Sequence, residues 1–285
     1  MKKIVGILLM VSMLFGMVAM AEYDYAQEIT VVSREDGSGT RGAFIELLGV
    51  EKKDADGVKV DYTTEEAVIT NNTNVMMTTV AGNEAAIGYS SMGSLNETVK
   101  AVEVNGVEAT VANIQAGTYE VARPFNIATM GDVSEAAADF ITYILSTEGQ
   151  AVVSDNGYIP MEAAQAYAGQ QVAGKVVVAG SSSVTPVMEK LKEAYGAVNP
   201  NAEIEIQQSD STTGMKSALD GICDIGMASR ALKDSEIEAG LMGQVIAMDG
   251  IAIIVSPSNP VETMTVEEIE QIFTGAVTTW EGFNK

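Results

Sequence analysis

The chain has 285 residues, 47% of them hydrophobic, enough for one large domain or two ordinary ones with a substantial core. Acids outnumber bases 39 to 16, a formal charge of −23 at pH 7, which argues against a non-specific binder of nucleic acid or anionic membrane. The absence of histidine excludes a Ser-His-Asp triad, a His-ligated zinc and His general-base chemistry, and the single cysteine, Cys223, excludes an intramolecular disulfide and a CxxC metal site.

The first residues read as an export signal. Lys2 and Lys3 precede the apolar run Ile4–Met20, broken only by Ser12 and two glycines, and Ala19-Met20-Ala21 supplies a small-x-small cleavage pattern before Glu22. Residues 1–21 are expected to be removed; an uncleaved membrane anchor is the alternative. The product is expected in the periplasm, outside the cell or at its surface. No cysteine follows the apolar run, so a lipid anchor through Cys is not expected.

In chain order, the apolar runs Ile29–Ser33, Val58–Asp61, Ala85–Tyr89, Lys175–Ala179, Glu203–Gln207, Asp224–Ala228 and Ile251–Ser256 are predicted strands. Amphipathic stretches lie between them. Phe140 and Ile144, flanked by Ile141 and Leu145, share one helical face; Val184, Met188, Leu191 and Tyr195 share another. Thr265 with Glu268 forms a capping box that opens a helix expected to bury Val266, Ile269 and Phe273. Alternation at this spacing means an α/β fold. Two stretches read as joints: Met161–Gly174, small and polar without core periodicity, and Ser256–Pro260, which breaks a strand and suits a crossover between domains. The 16 methionines are better read as gap-filling core residues than as metal ligands.

Four strand ends carry the chemistry. Ser33-Arg34-Glu35-Asp36-Gly37-Ser38-Gly39-Thr40-Arg41-Gly42 leaves a strand and enters a helix, so free backbone N–H groups, the Ser38 and Thr40 hydroxyls and the Arg34 fork converge into an oxyanion cradle. The same stretch formally holds GxGxxG at Gly37, Gly39 and Gly42, with Asp61 nineteen residues on. A dinucleotide site is disfavoured, because three charged residues intervene where the glycines normally follow the strand directly. A solvated turn with an ordinary helix cap is the plainer alternative. Gly180-Ser181-Ser182-Ser183-Val184-Thr185-Pro186 repeats the oxyanion logic with Pro186 placed for the first helical turn. Gln208–Lys216, rich in hydroxyls around Ser211 and Thr212, is a third strand-to-helix turn, and Asp224–Arg230 ends in Ser229 and Arg230. Each alone is as consistent with a cap as with a site; together they point to a small oxyanion held beyond the carboxyl ends of strands.

These stretches resemble the substrate-binding proteins of high-affinity phosphate ABC transporters in their Gram-positive, clostridial-like form. The resemblance is carried by VVSREDGSGTRGAF, AAIGYSSMGSL, RPFNIAT, LSTEGQAVVSDNGYIP, VVVAGSSSVTPVMEKL, QSDSTTGMK, DIGMASRALK, DGIAIIVSPSNP and IEQIFTGAVTTWEGF, and covers nearly the whole chain after residue 21. It implies a two-lobed, type II periplasmic-binding-protein clamp with mixed sheets that captures inorganic phosphate for permease subunits, as a monomer, with no cofactor and no catalysis. It also implies phosphate ligands at Arg34, Ser38, Gly39, Thr40, Ser182, Ser183, Val184, Ser211, Thr212, Ser229 and Arg230, with Asp36 holding the Arg34 fork. The segment order departs from the family, where the AGSSSV strand is N-terminal. A circular permutation is therefore expected, with residues 161–174 joining the usual termini. Projected onto this order, one lobe is split between 22–97 and 256–285 and the other runs over 98–255. A second departure places Arg230 where some members carry an aspartate that accepts the ligand's proton, so rejection of sulfate is less assured. Another tetrahedral oxyanion (sulfate, molybdate or a phosphonate) and a secreted phosphate-ester hydrolase remain the alternative functions.

Overall fold

Strands and helices alternate as the apolar spacing predicts. The computed structural model describes residues 23–162, 165–169 and 171–283; the expected signal segment, 1–21, lies outside these, as do three positions of the expected linker. The first stretch contains β1 (Thr30–Arg34), α1 (Gly39–Leu47), β2 (Glu51–Lys53), β3 (Lys59–Asp61), β4 (Val68–Thr70), α2 (Thr73–Ala81), β5 (Ala86–Ser91), β6 (Lys100–Val104) and α3 (Val111–Gln115). The middle contains β7 (Ala122–Met130), α4 (Glu135–Ile144), α5 (Thr147–Asp155), β8 (Ile159–Pro160), β9 (Gly174–Ser181), α6 (Thr185–Val198), β10 (Ala202–Ser209), α7 (Ser211–Leu219), β11 (Ile225–Ala228) and α8 (Asp234–Glu238). The chain closes with β12 (Leu241–Val255), β13 (Thr263–Met264) and α9 (Val266–Phe273).

Local chemistry sets these boundaries. Ser38, Asn72, Thr110, Ser134, Ser146, Asp210 and Thr265 each cap a helix by accepting the N–H three residues on. The Thr265–Glu268 capping box forms as predicted, and Ile269 and Phe273 are buried, while Val266 is only partly so. On α6, Val187, Met188, Leu191 and Tyr195 are fully buried beneath a Pro-initiated first turn.

Eleven strands form one sheet, ordered β10-β9-β11-β7-β12-β5-β1-β4, with β6 and β8 also on β12 and β13 on β6. Most neighbouring pairs near its two ends are parallel, but β12 runs antiparallel to β5, β6, β7 and β8, so the sheet is mixed. The central pair β7–β12 joins the two larger of three hydrophobic cores among the described residues. The first draws on residues 31–121 and 251–280, the second on 125–247. Residues 98–121, expected with the continuous lobe, instead add Val99, Val102, Val104, Tyr119 and Val121 to the first core. The Ser256–Pro260 stretch does end a strand, but Val255 and Val261 on either side of it both belong to the first core. The chain passes between cores within β7 and β12, because those strands are long enough to serve both. Among the described residues no helix is long and apolar enough to cross a membrane.

The described part of the expected linker is tied to the second core. The Gln165 carbonyl accepts from the Thr147 N–H, and Glu148 accepts from the Tyr167 N–H. The Asp139 carboxylate accepts from the hydroxyls of Tyr167 and Tyr195, both at 2.7 Å, and from Asn199 at 3.4 Å. Burial first, then this carboxylate, pushes the Tyr195 hydroxyl up to about 12. Asp139→Ala strips two tyrosines of their acceptor, and hydrogen bonds to charged groups contribute about 1.5–3 kcal/mol each. Urea unfolding of this variant is expected to show a loss of about 3 kcal/mol with an unchanged m value.

Candidate functional site

Four helix N-termini and one strand end meet where the two cores face each other. From the first core come the β1–α1 loop and the start of α2; from the second come the β9–α6 and β10–α7 turns and the end of β11. In α1 the first-turn N–H groups of Gly39 and Thr40 have no carbonyl one turn earlier in the helix, and the Ser38 hydroxyl is engaged as the cap, accepting from Arg41 N–H at 3.3 Å.

The hydroxyls interlock across the cleft. Thr40 Oγ1 lies 2.8 Å from Ser183 Oγ and 3.4 Å from Ser229 Oγ, and Ser211 Oγ accepts from the Ser229 N–H at 3.1 Å. Arg34 Nη2 donates to Ser182 Oγ at 3.0 Å. Thr73, at the start of α2, donates its N–H to Ser182 Oγ at 3.3 Å and places its hydroxyl 3.1 Å from Ser183 and 3.2 Å from Ser182. None of Arg34, Ser38, Thr40, Thr73, Ser182, Ser183, Ser211 and Ser229 is more than 4% exposed.

The structure thus brings Arg34, Ser38, Gly39, Thr40, Ser182, Ser183, Ser211 and Ser229 together, with Thr212 and Arg230 at the edge. Thr212 is a bridge, since its N–H and its hydroxyl both donate to the Gly37 carbonyl at 3.1 Å. The Val184 N–H is spent on the Ser181 carbonyl at 3.1 Å, so this residue enters the site as a helix start and not as a free donor.

One expectation is corrected. Asp36 does not hold Arg34; it is 97% exposed and takes Arg41 Nη1 at 2.7 Å, while Arg41 also donates to the Arg34 carbonyl and pairs with Asp61. The carboxylate on Arg34 is Glu35, which accepts from Nε at 2.8 Å and Nη2 at 2.7 Å. Arg41 claims the outward carboxylate and leaves the adjacent one to turn in. Arg230 pairs with Glu236 through two bonds of 2.9 and 2.8 Å. Thr73 is the residue sequence reasoning missed: Asn72 before an apolar helix signals a cap, but nothing local says that this helix points into the cleft.

Beneath the loop, Tyr89 accepts from the Arg34 N–H at 3.1 Å, sits 2.9 Å from Ser33 Oγ and stacks on Phe44 at 4.0 Å. Full burial pushes its hydroxyl up to about 12, so it stays a neutral donor and acceptor. Among the described residues no cluster of carboxylates and thiols has metal-binding geometry. What remains is a buried set of rotatable hydroxyls, helix-start N–H groups and one fork, suited to enclosing a small oxyanion without reacting with it.

Two α/β cores joined by paired strands, with oxyanion donors from both facing each other, define a ligand-binding clamp. The family described as a PBP superfamily domain matches residues 21–148 and 165–282. The phosphate-binding protein PstS 2 of Streptococcus agalactiae is 55% identical over 258 residues, 90% of this chain and 88% of its own. The protein of the same name from Streptococcus pneumoniae is 42% identical over 274 residues, 94% of each chain. A crystal structure of a phosphate-binding protein of a phosphate ABC transporter from Streptococcus pneumoniae superposes with a TM-score of 0.70 at 42% identity, covering 90% of this chain and all of that one. The phosphate-binding protein PstS of Bacillus subtilis matches at 30% identity over 137 residues, 47% of this chain and 42% of its own. The chain belongs to the PBP superfamily and, within it, to the substrate-binding proteins of phosphate ABC transporters, which are not enzymes.

The Arg230–Glu236 pair has a pH signature. Burial opposes ionisation of Glu236, but the Arg230 fork and the Lys233 N–H outweigh it and hold the carboxyl below the usual range. A carboxyl lowered on folding contributes stability above its unfolded pKa and loses it as pH falls through the folded one. Glu236→Gln is expected to unfold at lower urea than the parent at pH 7, with the difference shrinking as pH falls below about 4.

Proposed function

We propose that this chain captures inorganic phosphate outside the membrane and presents it to the permease subunits of an ABC importer. One observation carries the reading: donors from both cores, among them Arg34, Thr40, Thr73, Ser182, Ser183, Ser211 and Ser229, are buried against one another. Such a set matches the acceptor-only surface of a tetrahedral oxyanion and contains no candidate general base, which speaks against a phosphate-ester hydrolase. The names of the streptococcal relatives select phosphate over sulfate, molybdate or a phosphonate. The two lobes are residues 23–121 with 251–283, and 125–247, each built on its own core. Export by residues 1–21 and action as a monomer complete the proposal.

Inorganic phosphate is expected to stabilise the stripped protein without turnover, by ~4 kcal/mol at a thousandfold excess over Kd. Arg34→Ala is expected to weaken phosphate at least about tenfold, since charge-assisted bonds are worth roughly 1.5–3 kcal/mol and about 1.4 is a factor of ten. Gly39→Ala is expected to weaken it comparably with little effect on the ligand-free melting temperature. A Cβ there would stand 2.5 Å from Ser211 Oγ, 2.9 Å from Ser229 Oγ and 3.0 Å from Arg230 Cγ, and would wedge the cleft open. Calorimetric titration with phosphate and sulfate separates the oxyanions. A missing thermal shift, or release of phosphate from an ester, rejects the reading.

The segment order is proposed to be a circular permutation of the family's more usual one. It is supported by the nearly full-length matches to the streptococcal proteins beside a match of under half to the Bacillus subtilis protein. Moving 175–285 ahead of 22–174 by gene rearrangement is expected to preserve a monomer with unchanged phosphate affinity; loss of solubility or binding counts against the permutation.

A further inference from the structure

The step between the two cores is marked by a buried ion pair. On β7 and β12, Arg123 and Asp249 stand directly opposite each other in register. Arg123 Nη2 donates to Asp249 Oδ2 at 3.1 Å, and the pair is 2% and 0% exposed. On one side of this register Val121 and Ile251 belong to the first core; on the other, Phe125 and Ala247 belong to the second. A pivot between the lobes has to lie here, where both connecting strands leave one core for the other.

Each lobe also reaches the pair by another route. The Gly93 N–H, in the 3-10 turn Met92–Ser94 that follows β5, donates to Asp249 Oδ1 at 3.4 Å. Tyr158 of the second core lies so tightly on Gly93 that its ring occupies the space of a side chain there. Arg123 is held over the Phe125 ring, 5.3 Å from its centre. Yet Arg123 Nε and Nη1 are buried with no hydrogen-bond partner. Buried donors left unpaired are costly, whereas a well-packed apolar pair of similar volume is often no less stable than a buried ion pair. The pair is therefore a poor device for stability alone and a good one for fixing geometry.

We propose that Arg123 and Asp249 are positioning residues that set how far the clamp closes, and through that the rate at which phosphate leaves, without touching it. The inference rests on the phosphate reading above. Arg123 ties β7 to β12 at the pivot, and Asp249 ties that pivot to the turn bearing Gly93. Removing the pair frees the strands to splay and lowers the barrier to reopening.

The test replaces both charges with apolar residues, Arg123→Met with Asp249→Leu, and follows phosphate by stopped flow alongside urea unfolding. With the unfolding midpoint close to that of the parent, the dissociation rate is expected to rise at least about fivefold while the association rate changes less than about twofold. A dissociation rate within about twofold of the parent in the folded double variant overturns the proposal. Should that variant not fold, Arg123→Lys keeps the charge but loses the fork, and the same rise is expected at about threefold or more; an unchanged rate overturns the proposal equally. If the parent protein binds no phosphate, the phosphate reading falls separately. Small-angle scattering of ligand-free protein then tests the pivot, expanding in the double variant if the pair sets closure and staying unchanged if it does not.

Discussion

All four arginines of this acidic chain already hold a carboxylate: Arg34 has Glu35, Arg41 has Asp36 and Asp61, Arg123 has Asp249, and Arg230 has Glu236. The architecture of the cleft depends on this pairing. A bare guanidinium buried between two lobes would attract carboxylates from a surface carrying a large excess of them, and its desolvation would penalise closure. Neutralised forks keep their shape and some of their donors, so selectivity passes to neutral hydroxyls and helix-start N–H groups whose geometry suits a tetrahedron of oxygens. The net charge of −23 is then no obstacle, because the ligand meets local dipoles while the distant carboxylates are screened.

Pairing also explains the division of labour within the β1–α1 loop. Arg41, one turn into the helix, gathers Asp36, Asp61 and the Arg34 carbonyl, so the loop is braced from outside. Tyr89 braces it from beneath. Ser38, engaged as the cap, fixes where the helix begins, and the free first-turn N–H groups of Gly39 and Thr40 are placed by that start. A small residue is required at position 39 because the opposite lobe comes within van der Waals distance of its backbone.

The turns were the legible part of the sequence, because glycine, serine and threonine between an apolar run and an amphipathic one announce both a boundary and a donor. The predicted strands at 29–33, 85–89, 175–179, 203–207 and 224–228 lie within two residues of observed ones at each end. Of the strands that connect the lobes, β12 was legible only at its end, in the predicted strand Ile251–Ser256, and β7 was not. β7 carries Arg123, Pro124 and Asn126 in its interior, which locally contradict a central strand; Arg123 is paired by Asp249 opposite, 126 residues away in sequence, and Asn126 donates to the Arg230 carbonyl at 2.9 Å. The same long-range condition hid where the chain changes core, and the prolines of Ser256–Pro260 signal a break without saying whether the core changes there. Asp36 and Glu35 could not be ranked from sequence, since neighbouring carboxylates differ only in which way the loop turns them. Thr73 was hidden for a related reason: a cap motif identifies a helix start and leaves its direction unspecified.

β12 runs for fifteen residues, with Ile246 and Ala247 in the second core and Ile251–Val255 in the first. A ladder of this kind cannot fray over half its length without exposing the partners of the other half, so the lobes are bound into one inheritance as well as one fold. Recombination that exchanges one lobe for that of a relative must cut this strand or carry it whole, and a mismatched graft would present its bulge at Val245–Ala247 to the wrong neighbour. Divergence in such a chain is channelled into the loops at the strand ends, where new donors can be tried without rewriting the seam.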